Sequence, residues 1–315
     1  MMTALRRCLA LIVLLLATAT AAGCGGRSAD PRPGSPLPGV SGRFGTDPVV
    51  TIPGGNPSRQ LIVHTLVRGH GPVVRSGDYV LFNVQGRVWA GDREIVDSYT
   101  DRQPQGLPLR SGLRAWRHLA GQRVGSRVVM VVPPQDGFGR AGDPKANVTG
   151  TDTIVFVFDL LGAMPETARA SGTALPYLPG PGMPTLTVGS GGPATIAITT
   201  PHAAKPPASL MRRLLIRGHG RPIQAGQTVV VQDTGVVWRT GKVFDSSWAR
   251  GFPESFQLGA GQVIPGWESG LGGLPVGSRV LLVIPPSLGY GRAGNAPDVG
   301  SHDTLVFVID ILAAV

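Results

Sequence analysis

Short runs of β-branched and apolar residues, each cut off by glycine or proline, recur along the chain. The runs 228–232, 280–284 and 304–312 are bounded by Gly226 and Gly235, by Gly277 and Pro285, and by Gly300. Such runs between turn formers predict strands. Helical spacing appears in Ile264, Trp267 and Leu271, behind Pro265 at a first-turn position, and predicts one short helix. A sheet with one short helix against it is an α+β plan. The 46 glycines and 29 prolines among 315 residues add many turns and argue against long helices.

The pattern occurs twice. Arg68-Gly69-His70-Gly71-Pro72 returns as Arg217-Gly218-His219-Gly220-Arg221-Pro222, and Val124-Gly125-Ser126-Arg127-Val128 returns as Val276-Gly277-Ser278-Arg279-Val280. Gly137-Phe138-Gly139-Arg140-Ala141-Gly142 matches Gly289-Tyr290-Gly291-Arg292-Ala293-Gly294, and Asp152-Thr153-Ile154-Val155-Phe156 matches Asp303-Thr304-Leu305-Val306-Phe307. A constant offset of about 150 residues makes the repeating unit a whole domain rather than a solenoid module. Two tandem domains are expected, over residues 46–163 and 185–315, joined by a Pro/Gly-rich linker over 164–184. Each begins with a short β-prone lead-in, 47–53 and 194–198.

The first residues carry an address. Arg6 and Arg7 precede the apolar run 9–16, and small residues then lead through Ala21, Ala22 and Gly23 to Cys24. This order marks a secretory signal peptide over 1–24, with an apolar run too short to span a bilayer. Its end resembles the lipobox of bacterial lipoproteins, which implies lipidation at Cys24. The stretch 25–45 then reads as a flexible tether. The expected location is extracytoplasmic and lipid-anchored to the membrane; an ordinary cleavable signal would leave the protein secreted. Cys8 and Cys24 are the only cysteines, so the folded part has no disulfide to build on.

The net charge of +10 is spread along the chain, with no basic stripe or recognition module; this excludes nucleic acid and suits an anionic cell surface. The six histidines lack metal-ligand spacing, and neither a nucleophile elbow nor a phosphate-cradling loop occurs. No metal and no cofactor are expected, and the chemistry is expected to proceed without covalent catalysis.

Val243-Phe244-Asp245-Ser246-Ser247, Val263-Ile264-Pro265-Gly266-Trp267-Glu268, Leu288-Gly289-Tyr290-Gly291 and Phe307 stand in one order. Read alone, they are core and turn residues of a β-rich domain. Together they resemble the FKBP-type peptidyl-prolyl isomerases, from about residue 226 to 312. That resemblance implies two FKBP-like domains, each a twisted antiparallel sheet wrapped around one short helix with an apolar pocket between. It implies Phe244, Asp245 and Tyr290 as catalytic residues, with Asp245 the buried acid and Tyr290 a donor at the rim. Val263, Ile264, Trp267, Val299 and Phe307 would bind substrate, with Trp267 as the floor and Val299 in a flap.

Asp233, Glu254 and Asp298 stand where the family often has Tyr, an aromatic and Ile. These replacements imply weaker macrolide binding and basic or polar client segments. In the N-terminal copy, Val96 is aligned with Phe244, Asp97 with Asp245 and Phe138 with Tyr290, while Leu113, Trp116 and Phe156 complete a weaker pocket. The implied activity is peptidyl-prolyl isomerisation of proline-containing exported proteins, mainly by the C-terminal copy. The alternatives are a non-catalytic module that binds proline segments of the envelope, and a surface adhesin using the fold as scaffold.

Overall fold

The computed structural model describes residues 37–180, 183–188, 196–200 and 205–315. The signal peptide, Cys24 and the first part of the expected tether lie outside the described residues, as do residues 194 and 195 of the second lead-in.

The N-terminal unit contains β1 (Gly39–Ser41), β2 (Val49–Thr51), β3 (Ile62–Val67), β4 (Asp78–Val88), β5 (Arg93–Asp97), β6 (Gln105–Pro108), β7 (Arg127–Val132) and β8 (Ile154–Pro165). Its main sheet runs β3-β7-β8-β4-β5, with β6 on β4, and its neighbours are antiparallel. Then come β9 (Gly172–Ala174), β10 (Thr185–Val188), β11 (Ile196–Thr199), β12 (Met211–Gly218), β13 (Thr228–Val237), β14 (Val243–Ser246), α1 (Ser247–Arg250), β15 (Glu254–Gln257), α2 (Pro265–Leu271), β16 (Arg279–Ile284) and β17 (Leu305–Ala314). The second sheet runs β14-β13-β17-β16-β12-β9, with β15 on β13. Equivalent strands hold equivalent places, as the internal repeat requires.

The central strands are buried on both faces. β13 is buried throughout, with Val229, Val231 and Val237 in the core under α2 and Val236 on the opposite face with Trp238 and Leu281. A strand covered on both sides reads as a continuous apolar run rather than an alternation. α2 lies close to β16 because glycines face the sheet: a Cβ on Gly266 would stand 2.4 Å from Ile284, and one on Gly270 2.7 Å from Leu282. The N-terminal unit has a 3-10 helix, Arg114–Leu119, in this place. Ala115 and Leu119, both fully buried, stand where the glycines do, and their side chains prevent the same close approach. The expectation of one short helix per copy therefore changes: the C-terminal unit has α1 and α2, and the equivalent N-terminal segment winds as 3-10.

Each unit buries one arginine–carboxylate pair, Arg127–Asp159 at 2.7 Å and Arg279–Asp310 at 2.5 Å. Such a pair needs its remaining donors and acceptors satisfied, and in both units a segment preceding the main sheet contributes hydrogen bonds to it. Arg127 donates to the carbonyls of Gly42 and Thr46, and the Gly45 N–H donates to Asp159 at 2.6 Å. The 37–45 part of the expected tether is thus folded, with β1 paired to β2. In the second unit the Ala170 N–H donates to Asp310 at 2.8 Å and β9 pairs with β12. Residues 170–174, expected as linker, close the otherwise open edge of β12, where unpaired backbone groups would lie exposed.

Candidate functional site

Gly235 of β13 lies opposite Phe307 of β17. A Cβ on Gly235 would stand 2.5 Å from the Phe307 ring and 3.1 Å from Phe244, so glycine opens the space that both rings fill. Between Gly235 and Val236 the β13–β14 register shifts. This bulge at Phe244 turns its ring towards Phe307, with centroids 5.4 Å apart and planes at 79°. Trp267, at the start of α2, stands edge-on to Phe307 at 5.1 Å and 86°, and Phe256 lies against it at 5.5 Å. Tyr290 is edge-on to Phe244 at 6.5 Å. Val299 is buried in the same cluster, and Val263 and Ile264 pack on it half-buried. Seven of the eight C-terminal residues expected to act together therefore lie in or against one apolar cluster, and the eighth, Asp245, stands at its polar edge. The Trp267 Nε1–H is buried without a hydrogen-bond partner.

At that edge three carboxylates converge. Oxygens of Asp233, Asp245 and Glu254 lie within 4.8 Å of one another. Arg250 of α1 reaches among them: it bonds Asp245, lies 2.9 Å from Glu254 and 3.7 Å from Asp233. A cluster of this kind has the donor chemistry for a hard cation, but here the guanidinium already supplies the positive charge. Asp233 is fully buried, and its Oδ2 has no partner. Burial, reinforced by Glu254 and Asp245, pushes its carboxyl well above the usual carboxylate range. Glu254 is raised by burial against the opposing pull of Arg250. The Tyr290 hydroxyl is raised by burial and by the nearby Asp245 and Glu254 charges.

The buried acid is thus Asp233; the expected one, Asp245, keeps 31% of its side chain exposed. The backbone N–H of Asp233 donates to Ser247 Oγ at 2.7 Å, and the Ser247 N–H returns a bond to Asp233 Oδ1 at 3.3 Å. Arg250 and Phe256 escaped sequence reasoning. The spacing of Arg250 before Glu254 was a signal for an ion pair along the chain, but nothing local ties either to Asp245 or Asp233. Asp298 is exposed and pairs with Lys242 at 2.7 Å.

The N-terminal copy corrects the alignment. Gly86 opposes Phe156 as Gly235 opposes Phe307, and Ser98 receives the Val84 N–H as Ser247 receives that of Asp233. Gly86 faces Val96, whereas Gly235 faces Asp245, and each strand carries its register shift one residue earlier, at Ile95 and at Phe244. By register Ile95 therefore corresponds to Phe244, Val96 to Asp245 and Asp97 to Ser246, while the Val96 side chain lies over Gly86, 2.8 Å from the Cβ that Gly86 lacks, as the Phe244 ring lies over Gly235. Asp97 accepts from the N–H groups of Tyr99 and Thr100, as Ser246 accepts from that of Ala249; it caps a turn and is not the counterpart of the acid. Trp116, Phe156, Leu113 and Phe138 do join one apolar cluster. There Phe82 and Phe158 crowd Trp116 at 5.7 and 5.4 Å, where β13 and β17 carry Val231 and Ile309.

The model of the FKBP-type peptidyl-prolyl cis-trans isomerase family matches residues 71–161 and 220–312, together more than half of the chain. The chain belongs to that family. The FKBP fold is therefore present twice, as antiparallel sheets with few helices. An FK506-binding protein of Streptomyces anulatus is 48% identical over 110 residues, covering 35% of this chain and 89% of that protein. A probable FK506-binding protein of Corynebacterium glutamicum is 40% identical over 108 residues, covering 34% of this chain and 89% of its own length. The crystal structure of FkpA from Escherichia coli shares 41% identity over 33% of this chain and 47% of that one, with a TM-score of 0.31.

Proposed function

We propose that this FKBP-family chain accelerates cis–trans isomerisation of X-Pro bonds in exported proteins, mainly through its C-terminal site. The reading is carried by the cluster of Phe244, Trp267, Tyr290 and Phe307 ending at the Asp245–Arg250 pair. Rotation about an X-Pro bond breaks amide resonance, with a barrier of about 18–20 kcal/mol. Water favours the charge-separated planar amide, so a dry aromatic surface favours the twisted form by comparison. Phe244 and Phe307 would wall the proline ring, with Val263, Ile264 and Val299 beside them and Trp267 beneath. Asp245 would face the twisted carbonyl carbon. The Tyr290 hydroxyl would supply a fixed donor for a carbonyl oxygen of the bound segment. No proton needs to move.

The N-terminal copy serves as a binding or structural unit. Val96 and Ile95 stand where Asp245 and Phe244 stand, and Phe138 lacks the Tyr290 hydroxyl. A macrolide would bind the C-terminal site with reduced affinity, because Asp233 and Glu254 place carboxyl groups where the apolar wall would continue. Cys24 would carry the lipid that holds the protein on the outer face of the membrane.

The test is the rate of cis-to-trans conversion of proline tetrapeptides by the full chain and its Phe244→Ala and Asp245→Ala variants. Loss of acceleration in both supports the reading. A wild-type chain that captures the peptides but does not speed their isomerisation would instead make the protein a proline-segment binding module.

A further inference from the structure

We infer that the N-terminal unit is a positioning partner of the C-terminal site: it holds β15 and the backbone behind the acidic cluster in place, an inference that rests on the isomerase role proposed for that site. Two separate lines of contact carry this.

The first runs through Tyr79. Its hydroxyl donates to Ser255 Oγ at 3.0 Å, and the ring is 2% exposed. Successive side chains on a strand point to opposite faces. With Ser255 turned to the N-terminal unit, its neighbours Glu254 and Phe256 are turned to Arg250 and Trp267. Gly106 on β6 leaves the room for this contact, since a Cβ there would lie 2.4 Å from the Tyr79 hydroxyl and 2.8 Å from Ser255 Oγ. An apolar seam continues it, with Leu81, Leu161 and Met164 in one cluster with Val230, Phe252 and Leu312. Beyond β15, Gln257 Nε2 donates to the Arg102 carbonyl at 3.1 Å and Gln262 Nε2 to Gln103 Oε1 at 3.3 Å.

The second line reaches the cluster from behind. Arg110 pairs with Glu166 at 2.8 Å. The Glu166 carbonyl accepts from Gln232 Nε2 at 2.7 Å, and Gln232 Oε1 accepts from Ser247 Oγ at 2.5 Å. Ser247 is the residue that bonds the backbone and carboxylate of Asp233. Both lines end on groups that set where Glu254 and Asp233 stand, so a shift of the N-terminal unit is felt at Arg250 and Asp245. Chains of hydrogen bonds and packed side chains of this kind can carry coupling energy between sites.

The full chain with Tyr79→Phe and Arg110→Ala together tests this by backbone hydrogen exchange, with exposed Arg59→Ala as control. Exchange over residues 247–257 should rise about fivefold, the factor that one hydrogen bond contributes, with β16 and β17 unchanged. Turnover at the C-terminal site should fall by a similar factor. Unchanged exchange over 247–257, or an equal rise across β16 and β17, would overturn the inference. If the wild-type chain isomerises nothing, the exchange result still decides the brace and only the functional reading falls.

Discussion

Gly235 and Phe307 face each other across β13 and β17, and the Cβ that Gly235 lacks is the volume into which the Phe307 ring turns. The aromatic cluster of the C-terminal site depends on that absence. Gly235→Ala should push Phe307 and Phe244 apart, destabilise the domain by about 1–3 kcal/mol, and lower isomerase turnover at least as far as Phe244→Ala does. Urea midpoints and tetrapeptide kinetics on the full chain check both effects; unaltered turnover would remove these rings from the site.

Asp233 sets a dependence on pH. Its carboxyl has a higher pKa in the folded chain than in the unfolded one, chiefly through burial. Between those two values the folded state binds more protons, so stability is fully present below the unfolded pKa and is lost as pH rises through the folded one. Asp233→Asn, which cannot ionise, should flatten that decline and make the variant more stable than wild type at alkaline pH. Denaturation midpoints measured from pH 4 upward, about the unfolded value, provide the check; parallel curves would contradict it.

Asp97 and Asp245 should part company under mutation. Asp97 accepts the N–H groups of Tyr99 and Thr100, and losing a cap of this kind costs about 1 kcal/mol. Asp97→Ala should therefore lower stability by that amount and leave turnover intact, whereas Asp245→Ala should lower turnover. Equal loss of turnover from the two variants would restore Asp97 to a catalytic position.

The C-terminal domain should need residues 166–174. A fragment beginning at Thr185 loses the Ala170 N–H on Asp310 and the β9 edge. Compared with one beginning at Glu166, it should be less stable by about 1–3 kcal/mol, the cost of leaving a buried polar group unsatisfied. Urea denaturation of the two fragments measures the difference.

Much of this protein was written locally. Turn-bounded apolar runs gave the strands 228–232, 280–284 and 304–312, and the matched motifs gave the duplication. The motifs around Phe244, Trp267, Tyr290 and Phe307 point to the family without any knowledge of contacts, because each is a run of a few residues and their order is written in the chain. What tertiary structure decided was register and convergence. The bulges at Ile95 and Phe244 move Asp97 to a cap and Val96 to the acid's place, although the strings Val-Asp-Ser and Phe-Asp-Ser invite the other alignment. Where a bulge falls is fixed by the partner strand and the rings beneath, here Gly86 and Gly235 against Phe156 and Phe307. The gathering of Asp233, Asp245 and Glu254 about Arg250, and the capture of residues 170–174 by β12, were equally out of reach. Charges from different elements meet only when the sheet forms, and a short segment pairs with an edge only where folding leaves that edge open.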